Sequence, residues 1–207
     1  MHILLTDVLT CPRCGPELGL ILLADRIENR RVLEGWLGCA NCRERFRVEH
    51  GFADLRFGAL QPDVHGAEPS TAADALKIAA LLGITEGSGL VLISGSGAAH
   101  AAVIADLIPG LEMVAVWAPL AAEPERAGIS RLAAAHVLPI RSASMRGVAL
   151  TEPPAAADIA EAARVTAPRS RVVVTSSAAD VAEQLTQHGL RILAQDESTT
   201  VAERGSF

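Results

Sequence analysis

Tyrosine is absent from this 207-residue sequence, and four Phe and two Trp bring aromatic residues to only 3%. Single-stranded nucleic acid is gripped by rings that stack on bases and by clustered cations that release counterions. With few rings and a formal net charge of −6, the chain is not expected to bind nucleic acid on its own. Long apolar runs are also missing: the opening MHILLTDVLT is far shorter than the roughly 20 residues a bilayer core requires. The expectation is a cytoplasmic protein without a membrane segment. Gly-Lys-Ser/Thr does not occur, which excludes that type of phosphate loop. One lysine stands beside 17 arginines, a bias from which no chemistry follows. No cysteine occurs after position 42.

What is present is unevenly spread. Residues 1–58 carry 8 Arg and 8 acids, whereas the remainder carries 10 basic and 16 acidic residues. A hydrophobic content of 50% is ample for at least one buried core, in one domain or two small ones.

All four cysteines lie in CPRC (Cys11, Cys14) and CANC (Cys39, Cys42), giving C-x2-C-x24-C-x2-C. Each pair forms a knuckle offering two thiolates from one tight turn, and two knuckles complete a tetrahedral zinc shell. Two disulfides or a redox couple are the rival readings, and neither suits a cytosolic chain without a strand-helix context around the cysteines. Four thiolates leave no open position, so the metal is expected to be structural. The segments LGLILLAD and RRVLEGWLG alternate, consistent with a hairpin that brings the second knuckle to the first. In RERFRVEHGFADLRF, Arg43, Arg45 and Arg47 alternate with Glu44, Phe46 and Val48. The arginine face reads either as a contact surface for RNA or an acidic protein, or as a solvated strand face; ordinary strand behaviour favours the second.

LTDVLTCPRCGPELGL followed by LGCANCRERFRVEHGFADL resembles the small zinc-ribbon family whose members activate or accompany methyltransferases. The resemblance spans residues 5–57, and a similar ribbon precedes the catalytic domain of some ribosomal RNA methyltransferases. In the activator family the ribbon adds to or covers the edge of an enzyme's sheet. The resemblance therefore implies docking either on this chain's own second part or on a separate methyltransferase.

GALQPDVHGAEPS, broken by Pro62, Gly66 and Pro69, reads as a linker. The expected organisation is a ribbon over 1–58, a linker over 59–69 and a second domain over 70–207. Ser70 or Thr71 caps a helix in TAADALKIAALLGI, with Ala72, Ala75, Leu76, Ala79 and Leu82 on its apolar face. Strand and helix then alternate: strands near 90–94, 112–117, 147–151, 171–175, 191–195 and 199–203, and helices near 98–108, 154–165 and 178–189. AEPERAGISRLAAA reads as helical and HVLPI as a short strand. The fold class is α/β: a small β-rich ribbon, then a Rossmann-like doubly wound, mostly parallel sheet with an antiparallel edge strand.

The second part, residues 70–204, resembles the class I S-adenosylmethionine-dependent methyltransferases, through ADIAEAARVTAPRSRVVVTSSAADVAEQLTQHGLRIL and LPIRSASMRGVAL. The resemblance implies S-adenosylmethionine as cofactor, held around Gly95, Ser96 and Gly97 at the first strand. Where the family places acids, this sequence has Ile93 before the glycine turn, Trp117 after the second strand and Arg146, beside Met145, before the fourth. A carboxylate's charge is not replaced by a hydroxyl from Ser94 or Ser96. GSGAAH is also not G-x-G-x-x-G, because His100 takes the last place. Thr151-Glu152-Pro153-Pro154-Ala155 stands where amino-group methyltransferases carry Asp/Asn-Pro-Pro-aromatic. It also reads as prolines opening a helix capped by Thr151, and the preference of proline for that position favours this reading. His100 and His136 lie near the expected cleft without a visible acid-base partner, and no catalytic residue is assigned.

The sequence thus points to a zinc-binding, methyltransferase-like protein that has lost catalysis and acts as a partner or assembly subunit, with a methyltransferase or a second copy as partner. The alternative is a divergent active methyltransferase on RNA, protein or a small molecule. An RNA-binding ribbon using Arg43, Arg45 and Arg47 is the third reading.

Overall fold

The structure is a computed structural model, and it describes residues 1–57, 71–135, 137–151 and 153–206. The expected linker, Ser70, His65, His136 and Glu152 lie outside the described residues.

The N-terminal segment is built of short antiparallel pairs. β1 (Thr10–Cys11) and β2 (Gly15–Gly19) pair across the first knuckle. β3 (Ile21–Glu28) and β4 (Arg31–Gly38) form the expected hairpin. β5 (Arg45–Glu49) and β6 (Phe52–Asp54) follow. β5 alternates as the sequence predicts, with Phe46 and Val48 buried and Arg45 and Arg47 outward. Arg43 precedes the strand in a left-handed turn with φ of +64°.

The second part alternates strand and helix. In chain order it comprises α1 (Ala72–Leu82), β7 (Gly89–Ser94), α2 (Ala101–Leu107), β8 (Leu111–Val116), β9 (Ile129–Ala133) and β10 (Met145–Leu150). These are followed by α3 (Ala156–Val165), β11 (Thr166–Thr175), α4 (Val181–Gln187), β12 (Leu190–Gln195) and β13 (Thr199–Arg204). α1 and α2 cover one face through Ala75, Ile78, Leu82, Ala101 and Ile104, while α3 and α4 cover the other through Ile159, Ala162, Val181 and Leu185. Thr71 caps α1, its hydroxyl accepting from Asp74 N at 3.3 Å while Asp74 accepts from Thr71 N at 2.8 Å. The buried face of α1 is Ala75, Ile78, Ala79 and Leu82; Ala72 and Leu76, both expected on it, are exposed.

Both parts share one 11-stranded sheet in the order β12-β13-β11-β10-β7-β8-β9-β6-β5-β4-β3. β13 runs antiparallel between β11 and β12, so the expected terminal pair forms and also inserts into the sheet. The junction is a parallel pairing of β6 on β9, matching Phe52 with Arg131 and Asp54 with Ala133. β9 corrects the sequence reading, in which AEPERAGISRLAAA is helical: the five residues Ile129–Ala133 are all buried between β8 and β6. Two neighbouring strands override helical propensity there. Residues 137–140, the described part of HVLPI, correspondingly give no strand, only a bridge from Ile140 to Leu9.

The junction is apolar on one face and ionic at its edge. Leu5, Leu9, Leu37, Val48 and Leu55 of the ribbon belong to the same buried cluster as Val114, Leu132 and Ile140. Each such side chain contributes roughly 1.5–3 kcal/mol on leaving water. Arg31, with 9% of its side chain exposed, donates to Glu125 Oε1 at 2.5 Å, to Glu112 Oε1 at 2.7 Å and to Ile129 O. Arg131, 4% exposed, donates to Leu120 O at 2.8 Å, to His50 O at 2.5 Å and to Glu125 Oε2 at 3.3 Å. The Met1 ammonium donates to Val32 O, Gly51 O and Glu125 Oε2. Each of these three cationic groups therefore has several acceptors at the seam. Pairing of this kind is needed because an unpaired buried charge costs several kcal/mol.

Candidate functional site

Two places bring sequence-expected site residues together. The first is the cysteine cluster. The turn between β1 and β2 presents Cys11 and Cys14, and the turn between β4 and β5 presents Cys39 and Cys42. In that second turn Cys39 N donates to Glu44 O at 2.9 Å and Arg43 N donates to Cys39 O at 3.0 Å. All four sulfur atoms lie within 4.8 Å of one another. Cys11 Sγ is 3.7 Å from Cys42 Sγ, and Cys39 Sγ is 3.8 Å from Cys14 Sγ. Four sulfurs arranged tetrahedrally at about 2.3 Å from one ion are separated by roughly 3.8 Å, so the spacing fits a thiolate-bound metal. A disulfide needs about 2.05 Å, and all four are free thiols. Burial pushes the Cys11 thiol up to about 12. Backbone N–H groups, that of Cys42 foremost, pull Cys39 down to about 7. Asn41 Nδ2 donates to Cys14 Sγ at 3.3 Å, and the Arg13–Glu44 pair at 3.0 Å links the two knuckles from outside.

The second place is the glycine turn at the C-terminal end of the parallel strands. Gly95 leaves β7 with φ of +90°, a conformation that favours glycine, and Ser96–His100 form one 3-10 helix leading into α2. β10 ends alongside, with Leu150 opposite Ser94. Thr151, the next residue, crosses the mouth of the turn. Its hydroxyl donates to Ser94 O at 2.7 Å and accepts from Gly97 N at 2.8 Å. A Cβ on Gly97 would stand 2.6 Å from Thr151 Cγ2 and 2.8 Å from its Oγ1. The second glycine of the turn is thus required by close approach of Thr151, and the amide of Gly97 is spent on that side chain.

Ile93 is fully buried in the cluster under α1 and α2. Trp117 follows β8, its N–H bonded to Leu132 O at 3.0 Å, and packs on the same cluster. Both lie at the end of the sheet that carries the turn. Arg146 does not. It sits near the N-terminal start of β10 and donates to Ser88 O at 2.6 Å and Glu86 O at 3.3 Å. Its expected place among the cofactor contacts is corrected accordingly, since the length of β10 separates it from the turn.

Thr151 carries a second correction. α3 begins at Ala156 with Ala155 as its cap, whose N–H is accepted by Asp158 at 2.8 Å. Thr151 is therefore a bridge between β7 and β10 and not a helix cap, and Pro153 and Pro154 precede the helix. His50 and His188 are exposed, as expected of loop and helix-end residues. Arg47 lies 5.0 Å from the Trp36 ring and 2.6 Å from Glu49, the behaviour of a solvated face.

The ionic seam is absent from the sequence reading. Its one visible trace is Arg131 within the apolar run ISRLA, a charge that a buried strand tolerates only when paired. No helix among the described residues is long and apolar enough to cross a membrane.

No protein-family model matches the chain, and no curated protein matches it. Solved structures do. One is a chain of the complex between the Haloferax volcanii Trm112 methyltransferase activator and its candidate methyltransferase. It shares 15% identity over 64% of this chain and 89% of that chain, with a TM-score of 0.54. An S-adenosylmethionine-dependent O-methyltransferase of Thermotoga maritima shares 12% identity over 70% of this chain and 69% of its own, at a TM-score of 0.49. An S-adenosylmethionine-dependent methyltransferase of Aquifex aeolicus shares 11% over 63% and 87%, at 0.45. At 15% identity the first of these shows a likeness of fold alone, and that fold is methyltransferase-like.

Proposed function

We propose that this chain is a methyltransferase-like protein that carries its own zinc ribbon in cis and acts as a partner or assembly subunit without catalysing methyl transfer. The observation that carries the reading is the Thr151 bridge. The cofactor's methionine portion needs the open backbone of the glycine turn, and here Gly97 N, Ser94 O and the Thr151 hydroxyl satisfy one another. Ile93 and Trp117 add that neither neighbouring position offers a carboxylate to an ammonium or a ribose.

Zinc is the metal the four thiolates suit best, since four-thiolate shells with two knuckles are the usual structural zinc sites. Its task is to hold the two turns that precede β2 and β5, and through β5 and β6 to present a strand to β9. The structural neighbour pairs an activator with a methyltransferase as separate chains. In this protein both halves belong to one polypeptide, so the edge of the methyltransferase-like sheet is already taken and a partner must bind elsewhere.

Isothermal titration of the zinc-loaded protein with S-adenosylmethionine and S-adenosylhomocysteine tests the reading. No heat and no thermal stabilisation at millimolar ligand is the expected result. Micromolar binding by wild type overturns it in favour of a divergent enzyme using Gly95, Ser96 and Gly97.

A further inference from the structure

The parallel strands have a second end, remote from the glycine turn. There β10 and β11 pair Met145 with Thr166 and next Gly147 with Arg171, so Arg146 alone faces residues 167–170. A bulge of this kind interrupts the ladder and re-aims side chains. It gathers three arginines: Arg146, Arg169 and Arg171 line a concavity of about 290 Å3 together with Ser170, Glu86 and Glu203. Glu203 is already matched by Arg191 at 2.7 Å, so the remaining charge of the hollow is positive although the chain as a whole is acidic.

Two of the guanidiniums are held from behind. Arg171 donates to Leu81 O at 3.0 Å, at the end of α1, and Arg146 to Ser88 O and Glu86 O. The backbone makes room for both: a Cβ at Gly83 would lie 2.5 Å from Arg171 Nη1, and one at Gly87 would lie 3.0 Å from Arg146 Nη1. A guanidinium has five N–H donors, so these bonds fix each group while leaving donors unspent. Arg169 is different. It holds a left-handed φ of +59°, which L residues with long side chains avoid. Among the described residues its guanidinium has no hydrogen-bond or ion-pair partner. A strained arginine without a partner, set beside two anchored ones, is the arrangement of an incomplete anion clamp.

We propose that this concavity binds the phosphate group of a small molecule, with Arg169 and Arg171 as its principal donors and Arg146 and Ser170 at its wall. Its concave shape and the acidic balance of the chain favour a small anion over a nucleic-acid backbone, which needs an extended basic track. The site is independent of the cofactor cleft and stands or falls separately from it.

The test is a titration of 15N-labelled, zinc-loaded protein with inorganic phosphate, against sodium chloride of equal ionic strength. Saturable shifts confined to the amides of Gly83, Gly87, Ser170 and Arg171 are expected with phosphate and not with chloride. R169G keeps a residue that suits the left-handed backbone. It should weaken phosphate binding roughly tenfold without lowering the thermal midpoint, the expected loss of one charge-assisted contact. R171K in the same titration checks that a planar fork and not only a charge is needed. Shifts that chloride reproduces, or that R169G leaves unchanged, overturn the proposal. So does a short single-stranded RNA that shifts the same amides at lower concentration than phosphate with steep salt dependence, which assigns the hollow to nucleic acid.

Discussion

The cysteine cluster and the glycine turn are both made by tight turns, and they differ in what their groups do with one another. In the cluster, four sulfurs stand 3.7–3.8 Å apart in pairs, too far to bond and too close to be unrelated. In the turn, the amide of Gly97, the carbonyl of Ser94 and the hydroxyl of Thr151 are bonded among themselves. Four sulfurs converging at the spacing of a tetrahedral thiolate shell suit a metal ion. Groups that satisfy each other specify a closed structure. The ribbon end of the molecule is thus the part whose side chains could hold a metal ion, and the methyltransferase-like turn is the part sealed by its own side chain.

The sharpest way to break this contrast is to remove the metal. Chelation, or Cys39→Ser, should abolish the ribbon, because structural zinc contributes on the order of 10 kcal/mol or more in small ribbons and fingers. Since β6 is zipped to β9, the thermal midpoint of the whole chain should fall and β9 should lose amide protection. A chelated protein that melts where the loaded one does would remove the cluster from the list of metal centres. Next in size is Arg31→Ala. It leaves Glu112 without a cationic partner, while Glu125 keeps Arg131 and the Met1 ammonium, and urea unfolding should show a loss of about 3 kcal/mol. A loss below about 1 kcal/mol would mean that the apolar contacts alone hold the ribbon in place.

Gly97→Ala probes the sealed turn directly. Its new methyl group meets Thr151 inside contact distance, so a destabilisation of about 1–3 kcal/mol is expected. Thr151→Gly in the same background should recover much of that loss in a double-mutant cycle. Additive effects of the two changes would show that the turn is open in solution. Thr71→Ala, far from both places, sets the baseline with a cost of about 1 kcal/mol for a lost cap. The same cap has a pH signature. The Thr71 hydroxyl and N–H hold the Asp74 carboxyl below its usual range. The folded state therefore prefers the ionised form, and this stabilisation is present above about pH 4 and lost as pH falls through the lowered value. The Thr71→Ala difference should shrink in acid, as read by thermal midpoints at a series of pH values.

Much of this is legible in the sequence. The cysteine spacing, the β3–β4 hairpin and the alternation of β5 are local patterns, fixed by residues a few positions apart. The periodic helices are legible for the same reason. β9 is not, because ISRLA follows a helix-like run and becomes a strand only when β8 and β6 flank it on both sides. The sequence misplaces Arg146 because a pattern cannot say at which end of a strand a residue lies relative to a cleft. Thr151 reads as a cap because its true partners, Ser94 and Gly97, are more than 50 residues away. Arg31, Glu112 and Glu125 carry no pattern at all, since they meet across the seam from three separate segments.

The sequence by itself determined most of the elements and the two cysteine turns, because hydrophobic period, glycine position and thiol spacing act over distances of one turn of chain. Only the tertiary structure decided that the ribbon extends the sheet in cis, that the glycine turn is closed by Thr151, and that three arginines share one hollow. Those facts depend on pairing between residues tens of positions apart. Such pairing is selected by burial and charge matching after the local elements exist.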